Sequence, residues 1–276
     1  MQNSVLVIGS GIACSSASLK LKTYGVNSVI IDKGRFIGGR ISSREIKETN
    51  YTNYFFHGAQ FFTAKSKSFK KVIEQGIKNN FIKEFGNFHP PRFRGHKTMR
   101  EFLTNLTVNL NIQQNKKIVG LKPSQKGISV LKENKKTWQN FDAVISTIPS
   151  PQNFSLMEKF PELQKTLDKS SYDSCIALMF SFNEIPKNIP IYFDFNKKRG
   201  ILSWMACGTN LNVWTAHTKE SYANRNLNQN KDQLKKEILL AIQKALSKFQ
   251  NIIKINFHSL HIWKYAKVKK ISNGIQ

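Results

Sequence analysis

The amino-acid sequence predicts an α/β protein in which a parallel-sheet unit at the N-terminus is combined with a second region of mixed α+β character. Three observations lead there. The first 32 residues pass from an apolar run through a small-residue helical pattern to another apolar run. Later segments switch to short β-type runs punctuated by proline and glycine, with one long amphipathic helix near the end. The chain has 276 residues, 40% of them hydrophobic, which gives it enough apolar surface for a real core and separates it from disordered sequences.

Each element follows from its local pattern. Ser4-Val5-Leu6-Val7-Ile8 is an apolar run closed by Gly9, as expected of a strand buried on both faces. Ile12 to Tyr24 carries Ala13, Ala17 and Leu21 at helical spacing, and Gly25 stands where a left-handed residue ends a helix. Val29-Ile30-Ile31 supplies the second strand, ending at Asp32. Ser66 to Asn79 is predicted as an amphipathic helix with Phe69, Val72, Ile73 and Ile77 on one face. Thr98-Met99-Arg100-Glu101 has the form of a capping box and opens a helix running towards Leu110. Lys116 to Leu131 reads as a hairpin turning at Pro123-Ser124-Gln125-Lys126-Gly127, with Trp138 on a third meander strand. Phe141 to Ile148 is a strand halted by Pro149, and residues 152–168 are helical with an interruption at Pro161. Ser174 to Trp214 is strand-like, with Pro186 and Pro190 in loops. Lys231 to Phe249 is a helix burying Leu234, Ile238, Leu239, Ile242 and Leu246, and Ile252 to Val268 reads as one or two strands.

Charge and cysteine content narrow the functional classes. The formal net charge is +26, which admits binding to nucleic acid or to anionic surfaces. The cations are 35 lysines against 8 arginines, scattered with only short clusters such as Lys65 to Lys71 and Lys264 to Lys270, so a solvated lysine surface is the plainer reading. No apolar run approaches the roughly 20 residues of a membrane helix. The apolar start from Met1 to Gly11 is too short for a signal peptide and has no basic region before it, so a cytoplasmic location is expected. Cys14, Cys175 and Cys207 form no CxxC pair, which argues against a disulfide framework or a zinc site.

Chemistry concentrates in the first 40 residues. Gly9-Ser10-Gly11-Ile12-Ala13-Cys14 lies directly between the first strand and the first helix. Gly9 permits the tight turn, Gly11 lets a pyrophosphate approach the backbone, and the helix N-terminus offers free N–H groups and a positive dipole to that anion. The third position of this pattern is normally Gly or Ala; Cys14 occupies it, a small residue expected to be tolerated with slightly wider packing. Asp32 follows 21 residues after Gly11, where a carboxylate accepts hydrogen bonds from ribose hydroxyls and disfavours a 2′-phosphate. Gly38-Gly39-Arg40 begins six residues beyond Asp32, giving a loop able to pass close to a second phosphate and pair with it. The three features in register predict a Rossmann-like domain that binds FAD.

These residues, together with other segments, resemble a known group. Val5 to Gly11, Asp32-Lys33, Gly38-Gly39-Arg40-Ile41 and His57-Gly58-Ala59-Gln60-Phe61-Phe62 are similar to the renalase-like NAD(P)/FAD-dependent oxidoreductases of the amine-oxidase superfamily. Looser matches are Phe141 to Pro149, Ser203-Trp204 and His261-Ile262-Trp263-Lys264-Tyr265-Ala266. The resemblance implies an α/β fold with a Rossmann-like FAD/NAD(P)-binding domain and a second mixed α+β substrate domain. It implies that Gly9, Ser10, Gly11, Ile12 and Ala13 hold the pyrophosphate, and that Asp32 and Lys33 meet the adenosine end. Arg40 would meet phosphate, while Ala59, Gln60 and Phe61 would approach the flavin ring. Ile118 would give a backbone contact to adenine, and Thr147 and Pro149 would flank the cofactor. The activity it implies is hydride transfer from a dihydronicotinamide-type or amine-like small molecule to flavin, which oxygen reoxidises. It also implies a second glycine-rich element ending in Gly-Asp after Tyr265, then a closing helix; the sequence to Gln276 contains neither, so a fragment, a truncated product and a degenerate copy are all open.

Beyond the cofactor, flavin would carry the chemistry and the protein would position a substrate against it. Gln60 is the leading flavin-contact residue, with an ordinary polar loop residue as its plain alternative. Trp204, Trp263 and Tyr265 are candidates for an aromatic substrate wall, against simple core packing. His217 is a candidate for assisting proton transfer, against a satisfied structural histidine. His258 and His261 are three apart on a predicted strand and should face opposite sides, so no metal site is expected. Cys175 and Cys207 read as small core residues. The expected domains are residues 1–60 plus 96–150 for FAD and 61–95 plus 151–268 for substrate, with 269–276 beginning a return to the FAD domain. The expected partner is a small-molecule substrate, including a reduced nicotinamide dinucleotide, with no specific nucleic acid and no membrane span. Two other functions stay open: a truncated, non-catalytic remnant binding FAD or ADP-like ligands weakly, and a basic nucleic-acid-binding protein.

Overall fold

The computed structural model describes residues 4–47, 52–168, 170–249 and 254–270. The chain divides into two compact units. One comprises Met1–Arg40, Leu103–Ser171 and Val268–Gln276; the other comprises Ile41–Phe102 and Tyr172–Lys267. Residues 41–60 therefore belong to the second unit and residues 151–171 to the first. Residues 271–276 of the predicted 269–276 return segment, and 252–253 of the predicted Ile252 to Val268 strands, lie outside the described residues.

The first unit is built on a four-stranded parallel sheet in the order Ala143–Ser146, Ser4–Ile8, Asn27–Ile31, Asn111–Gln113. The central strand Ser4–Ile8 is buried on both faces, as its unbroken apolar run requires. Val5 and Val7 pack with Cys14 of the helix Ile12–Thr23 and with Ile30. Leu6 and Ile8 face the opposite way, into a cluster with Ile118, Leu121, Val130 and Phe141. That second cluster comes from an antiparallel meander of Ile118–Ser124, Gly127–Lys132 and Gln139–Phe141. Its hairpin closes with Ser124 opposite Gly127, inside the predicted turn. The first helix ends at Tyr24 in a Schellman motif: Gly25, at φ +70°, donates to the Lys22 carbonyl and Val26 to the Leu21 carbonyl, each at 3.1 Å.

The second unit is built on a five-stranded antiparallel sheet in the order Tyr192–Asp194, Leu202–Cys207, Val213–Thr218, Ser171–Phe182, Ile255–Lys270. Period-two alternation divides its faces. Ile176, Leu178, Phe180 and Trp214 point to the helix Lys231–Leu246, whose Leu234, Ile238, Ile242 and Leu246 are fully buried there. Met179 and Val213 point to the other face, against Phe55. Phe55 ends a hairpin of Arg44–Lys47 with Thr52–Phe55. A second hairpin pairs Ile82–Glu84 with Phe93–Gly95.

Several boundaries differ from the sequence expectation, each for a local reason. The capping box forms at Thr98, whose hydroxyl accepts from the Glu101 N–H at 3.2 Å. The Glu101 carboxylate accepts from Lys97 N at 2.6 Å, and the helix ends at Leu106 instead of running to Leu110. Phe141 to Ile148 is two strands, because Phe141 pairs in the meander while Ala143–Ser146 joins the parallel sheet. Trp138 lies just before the third meander strand, not on it. Residues 150–168 break into Ser150–Asn153, a 3-10 turn over Phe154–Met157 and Pro161–Asp168. Among the described residues no helix is long and apolar enough to cross a membrane.

Candidate functional site

In the parallel-sheet unit, three loops at the C-terminal ends of the strands are held together by backbone and carboxylate hydrogen bonds. Gly9 leaves the first strand at φ +102° and donates to the Ile31 carbonyl of the neighbouring strand at 2.9 Å. Asp32 organises the turn that follows: one carboxylate oxygen accepts from Ser10 N at 2.7 Å, the other from Gly34 N at 2.5 Å. Gly38 N donates to the Ser10 carbonyl at 2.9 Å, so the Gly38-Gly39-Arg40 loop is fastened onto the glycine turn. Thr147 closes the third side, with its hydroxyl on the Ile8 carbonyl at 2.8 Å. A Cβ at Gly9 would lie 2.7 Å from that hydroxyl, so only glycine fits between these segments.

The helix Ile12–Thr23 begins beside these loops with no side-chain cap and no acidic residue in its first turn. Its first intrahelical bond runs from Ser15 N to the Gly11 carbonyl at 3.0 Å, so the N–H groups of Ile12, Ala13 and Cys14 have no acceptor within the helix. Ile12 and Ala13 are exposed there. The Ser10 hydroxyl is buried without a hydrogen-bond partner. A turn of free donors at a positive helix end, with an orphaned hydroxyl and a carboxylate alongside, suits the pyrophosphate and ribose of a dinucleotide.

The other residues expected at this end are arranged as follows. Cys14 is fully buried against Val5, Val7 and Ile30, and joins helix to sheet at the position glycine or alanine usually fills. Burial pushes its thiol up to about 12, so it is a neutral packing group. The Lys33 ammonium reaches the Gln152 side chain at 3.3 Å. Gly39 and Arg40 are exposed in a 3-10 turn over Gly39–Ile41. Ile118 has its side chain in the core under the meander, leaving only its backbone for a ligand. Pro149 precedes the short helix Ser150–Asn153.

Ala59, Gln60, Phe61, Trp204 and His217 belong to the antiparallel unit. Pairing of Trp204 with His217, and of Ala206 with Thr215, puts Trp204, Thr215 and His217 on one face of the sheet. Trp204 and His217 are ring neighbours at 5.3 Å. The segment 57–61 runs across this face. Gln60, 2% exposed, donates its amide to the Thr215 carbonyl at 3.1 Å. The His57 carbonyl accepts twice, from His217 Nε2 at 3.0 Å and from Trp263 Nε1 at 2.8 Å. Among the buried polar atoms here without a partner are Gln60 Oε1, the Thr215 hydroxyl and Trp204 Nε1. Together they offer an acceptor, a hydroxyl and a donor.

The histidines here are neutral. Burial lowers His57 to about 3, with His261, Arg44 and His217 adding repulsion. Burial lowers His217 and His261 to about 4. His258 and His261 do not face opposite sides as their spacing predicts. His258 meets Ser181 at 2.7 Å and the Phe55 ring, and His261 lies edge-on to His57 and Trp263. Both are on the face that carries His217, because the alternation slips by one residue between Phe257 and Leu260. Trp204, Trp263 and Tyr265 have separate aromatic partners, since Trp263 stacks on His57 and Tyr265 meets Tyr172. Among the described residues no group of three or more His, Cys, Asp or Glu side chains is placed to hold a metal. Neither Thr215 nor the convergence of His217 and Trp263 on the His57 carbonyl is legible in the sequence, because both depend on which strands lie side by side.

Comparison with known proteins agrees with this architecture. Residues 7–75 match the family of NAD(P)-binding Rossmann-like domains. A candidate protoporphyrinogen oxidase from Exiguobacterium sp. 255-15 superposes with a TM-score of 0.72 at 9% identity, over 99% of this chain and 89% of that one. A CLA-producing fatty acid isomerase from P. acnes gives 0.69 at 9% identity, over 95% and 86% of the two chains. A putrescine oxidase variant redesigned in its cofactor binding gives 0.68 at 10% identity, over 95% and 88%. At these identities the likeness is one of fold. The fold is thus α/β, with a Rossmann-like parallel-sheet unit and an additional antiparallel-sheet unit, as the sequence predicted.

Proposed function

We propose that the protein is an FAD-dependent oxidoreductase acting on a dihydronicotinamide-type or amine-like small molecule, with oxygen as the final oxidant. The observation that carries this reading is the Asp32 carboxylate, which ties Ser10 N and Gly34 N together beside the uncapped end of the first helix, with Gly38 fastened to Ser10. Family likeness over residues 7–75 and the resemblance to renalase-like members of the amine-oxidase superfamily support it. Bound FAD would supply the hydride acceptor.

The chain's own residues divide the remaining work. Gly11, Ile12 and Ala13 offer backbone N–H groups to the pyrophosphate and Ser10 its unpartnered hydroxyl, Gly9 shapes the turn with its own N–H on Ile31, and Cys14 keeps the helix against the sheet. Asp32 and Lys33 take the adenosine end, with Ile118 giving its backbone to adenine. Gly38, Gly39 and Arg40 line the second phosphate, and Thr147 and Pro149 flank the cofactor. Ala59, Gln60 and Phe61 face the flavin ring. The unpartnered atoms of Gln60, Thr215 and Trp204 take up the polar group of a substrate, a reduced nicotinamide dinucleotide among the candidates. His217 holds the 57–61 segment in place, and its burial-enforced neutral form is the one that can accept a proton. The three cysteines are unpaired, which favours the cytoplasm as its compartment.

The test is spectroscopic. The purified protein, refolded with excess FAD, is expected to be yellow, to bleach with dithionite and to regain its colour in air. A folded protein that stays colourless overturns the proposal. Stabilisation by ADP without turnover of reduced nicotinamides points instead to a non-catalytic binding protein.

A further inference from the structure

The antiparallel unit contains a guanidinium that no carboxylate among the described residues neutralises. Arg92 stands immediately before the short strand Phe93–Gly95. Its guanidinium carbon lies 4.0 Å from the ring centroid of Phe88, 4.3 Å from Phe61 and 4.4 Å from Tyr192. Behind Phe61 the stack continues to Phe85, whose ring lies 5.9 Å away at 19°, and Arg94 covers Phe85 at 4.4 Å.

The two arginines, two residues apart, use their charges differently. Arg94 is 7% exposed and spends a donor on the Cys207 carbonyl at 3.1 Å, which bolts the hairpin to the five-stranded sheet. Arg92 is only half-buried, yet its Nη1 is shut off from water and has no hydrogen-bond acceptor. Among the described residues no Asp or Glu forms an ion pair with Arg92. Aromatic faces compensate part of the desolvation of a cation, but they do not accept its in-plane N–H bonds. An arginine fixed by three rings, with one edge unsatisfied and the side chain still partly open, is preorganised for a planar oxyanion.

We propose that Arg92, framed by Phe61, Phe88 and Tyr192, recognises the carboxylate of a small apolar or aromatic acid. The planar fork matches a carboxylate edge to edge, and the surrounding rings match an apolar body. A dianionic phosphate would meet a single fixed cation and three apolar walls. Phe61 is the neighbour of Gln60, so this site would hold an acid next to the segment proposed to face flavin. The inference rests on the oxidoreductase reading only for calling that acid a substrate; the binding itself requires no flavin.

Calorimetric titration of the full chain at fixed ionic strength tests it, with benzoate and phenylacetate as probes and inorganic phosphate as the competing oxyanion. Saturable carboxylate binding is expected, weakened about tenfold or more in Arg92→Met by loss of the charge-assisted fork. Arg199→Met, the same change at an exposed position, should leave it unaltered. Arg92→Lys keeps the charge without the fork and should also bind more weakly; it decides the matter if Arg92→Met does not fold. Failure of the wild type to bind either acid, equal affinity in the folded Arg92 variants, or a preference for phosphate would each overturn the proposal. Carboxylate binding by a colourless protein would remove the flavin reading and leave this one standing, while a yellow protein blind to carboxylates would do the reverse.

Discussion

His217 donates its Nε2–H to the backbone carbonyl of His57 across 3.0 Å, joining the strand Val213–Thr218 to the segment that carries Gln60. A carbonyl only accepts, so the proton of this histidine is fixed on Nε2. Trp263 Nε1 donates to the same oxygen at 2.8 Å. Either His217→Phe or Trp263→Phe leaves the carbonyl one donor, and each should cost about 1–2 kcal/mol. The double variant should cost more than the sum, because the buried oxygen then has neither. Urea unfolding of the four proteins measures this; strictly additive losses would show that the two donors act independently.

Two buried histidines, His57 and His217, and the half-buried His261 give stability a direction with pH. His57 at about 3 and His217 and His261 at about 4 lie below the unfolded value of about 6.5. Between those values the unfolded chain binds more protons than the folded one, so stability is full above about pH 6.5 and falls as pH drops towards 4. Each histidine contributes at most about 1.4 kcal/mol per pH unit in that window, and the partly exposed His261 less. The melting temperature should drop steadily from pH 7 to 5, above the range of ordinary carboxylates, and His217→Gln should flatten the slope. A melting temperature unchanged over that interval would contradict the burial of these rings in neutral form.

Gly9→Ala separates two costs at the glycine turn. A Cβ there meets the Thr147 hydroxyl at 2.7 Å and Ile148 Cγ2 at 3.1 Å, and φ of +102° is strained for any L side chain. The expected loss is about 2–4 kcal/mol, combining strain and overpacking. Adding Thr147→Ala should recover the steric part and leave the strain. Thermal melts of the single and double variants check this, and an absence of any recovery would place the whole penalty in the backbone.

The cysteines should be inert until the chain unfolds. Cys14 and Cys207 are buried, and burial raises Cys14 and Cys175 to about 12. Ellman's reagent at pH 8 should label none of the three thiols in the native protein and all three in denaturant. Rapid native labelling of one thiol would show that its surroundings open readily.

The ADP-binding geometry can be probed without flavin. Asp32→Asn should weaken ADP binding by about tenfold or more, since an amide cannot accept from Ser10 N, Gly34 N and a ribose with both ends. Fluorescence titration with an ADP analogue reads this directly. Unchanged affinity would mean that the carboxylate only shapes the turn.

Local chemistry made part of this protein legible. The run Ser4 to Ile8 determined a strand buried on both faces, because no polar side remains to meet water. Gly25 determined the end of the first helix, Ser66 the start of the second, and Gly9 and Asp32 the turn between the first two strands, since each acts on neighbours within a few residues or across one strand. The stripe on Lys231–Leu246 likewise told which face of that helix is apolar. Pairing was not legible. Phe141 was divided from Ala143–Ser146 by the choice of sheet, and Thr215 met Gln60, Trp263 met His57, and Arg92 met Tyr192 across separations of a hundred residues or more. Those contacts depend on which strands become neighbours and in what register, which is settled by burying the two apolar faces of a whole unit at once. The sequence by itself determined the elements and the glycine turn; the tertiary structure alone decided which buried polar groups find partners and which, like the Arg92 guanidinium, are left waiting for one.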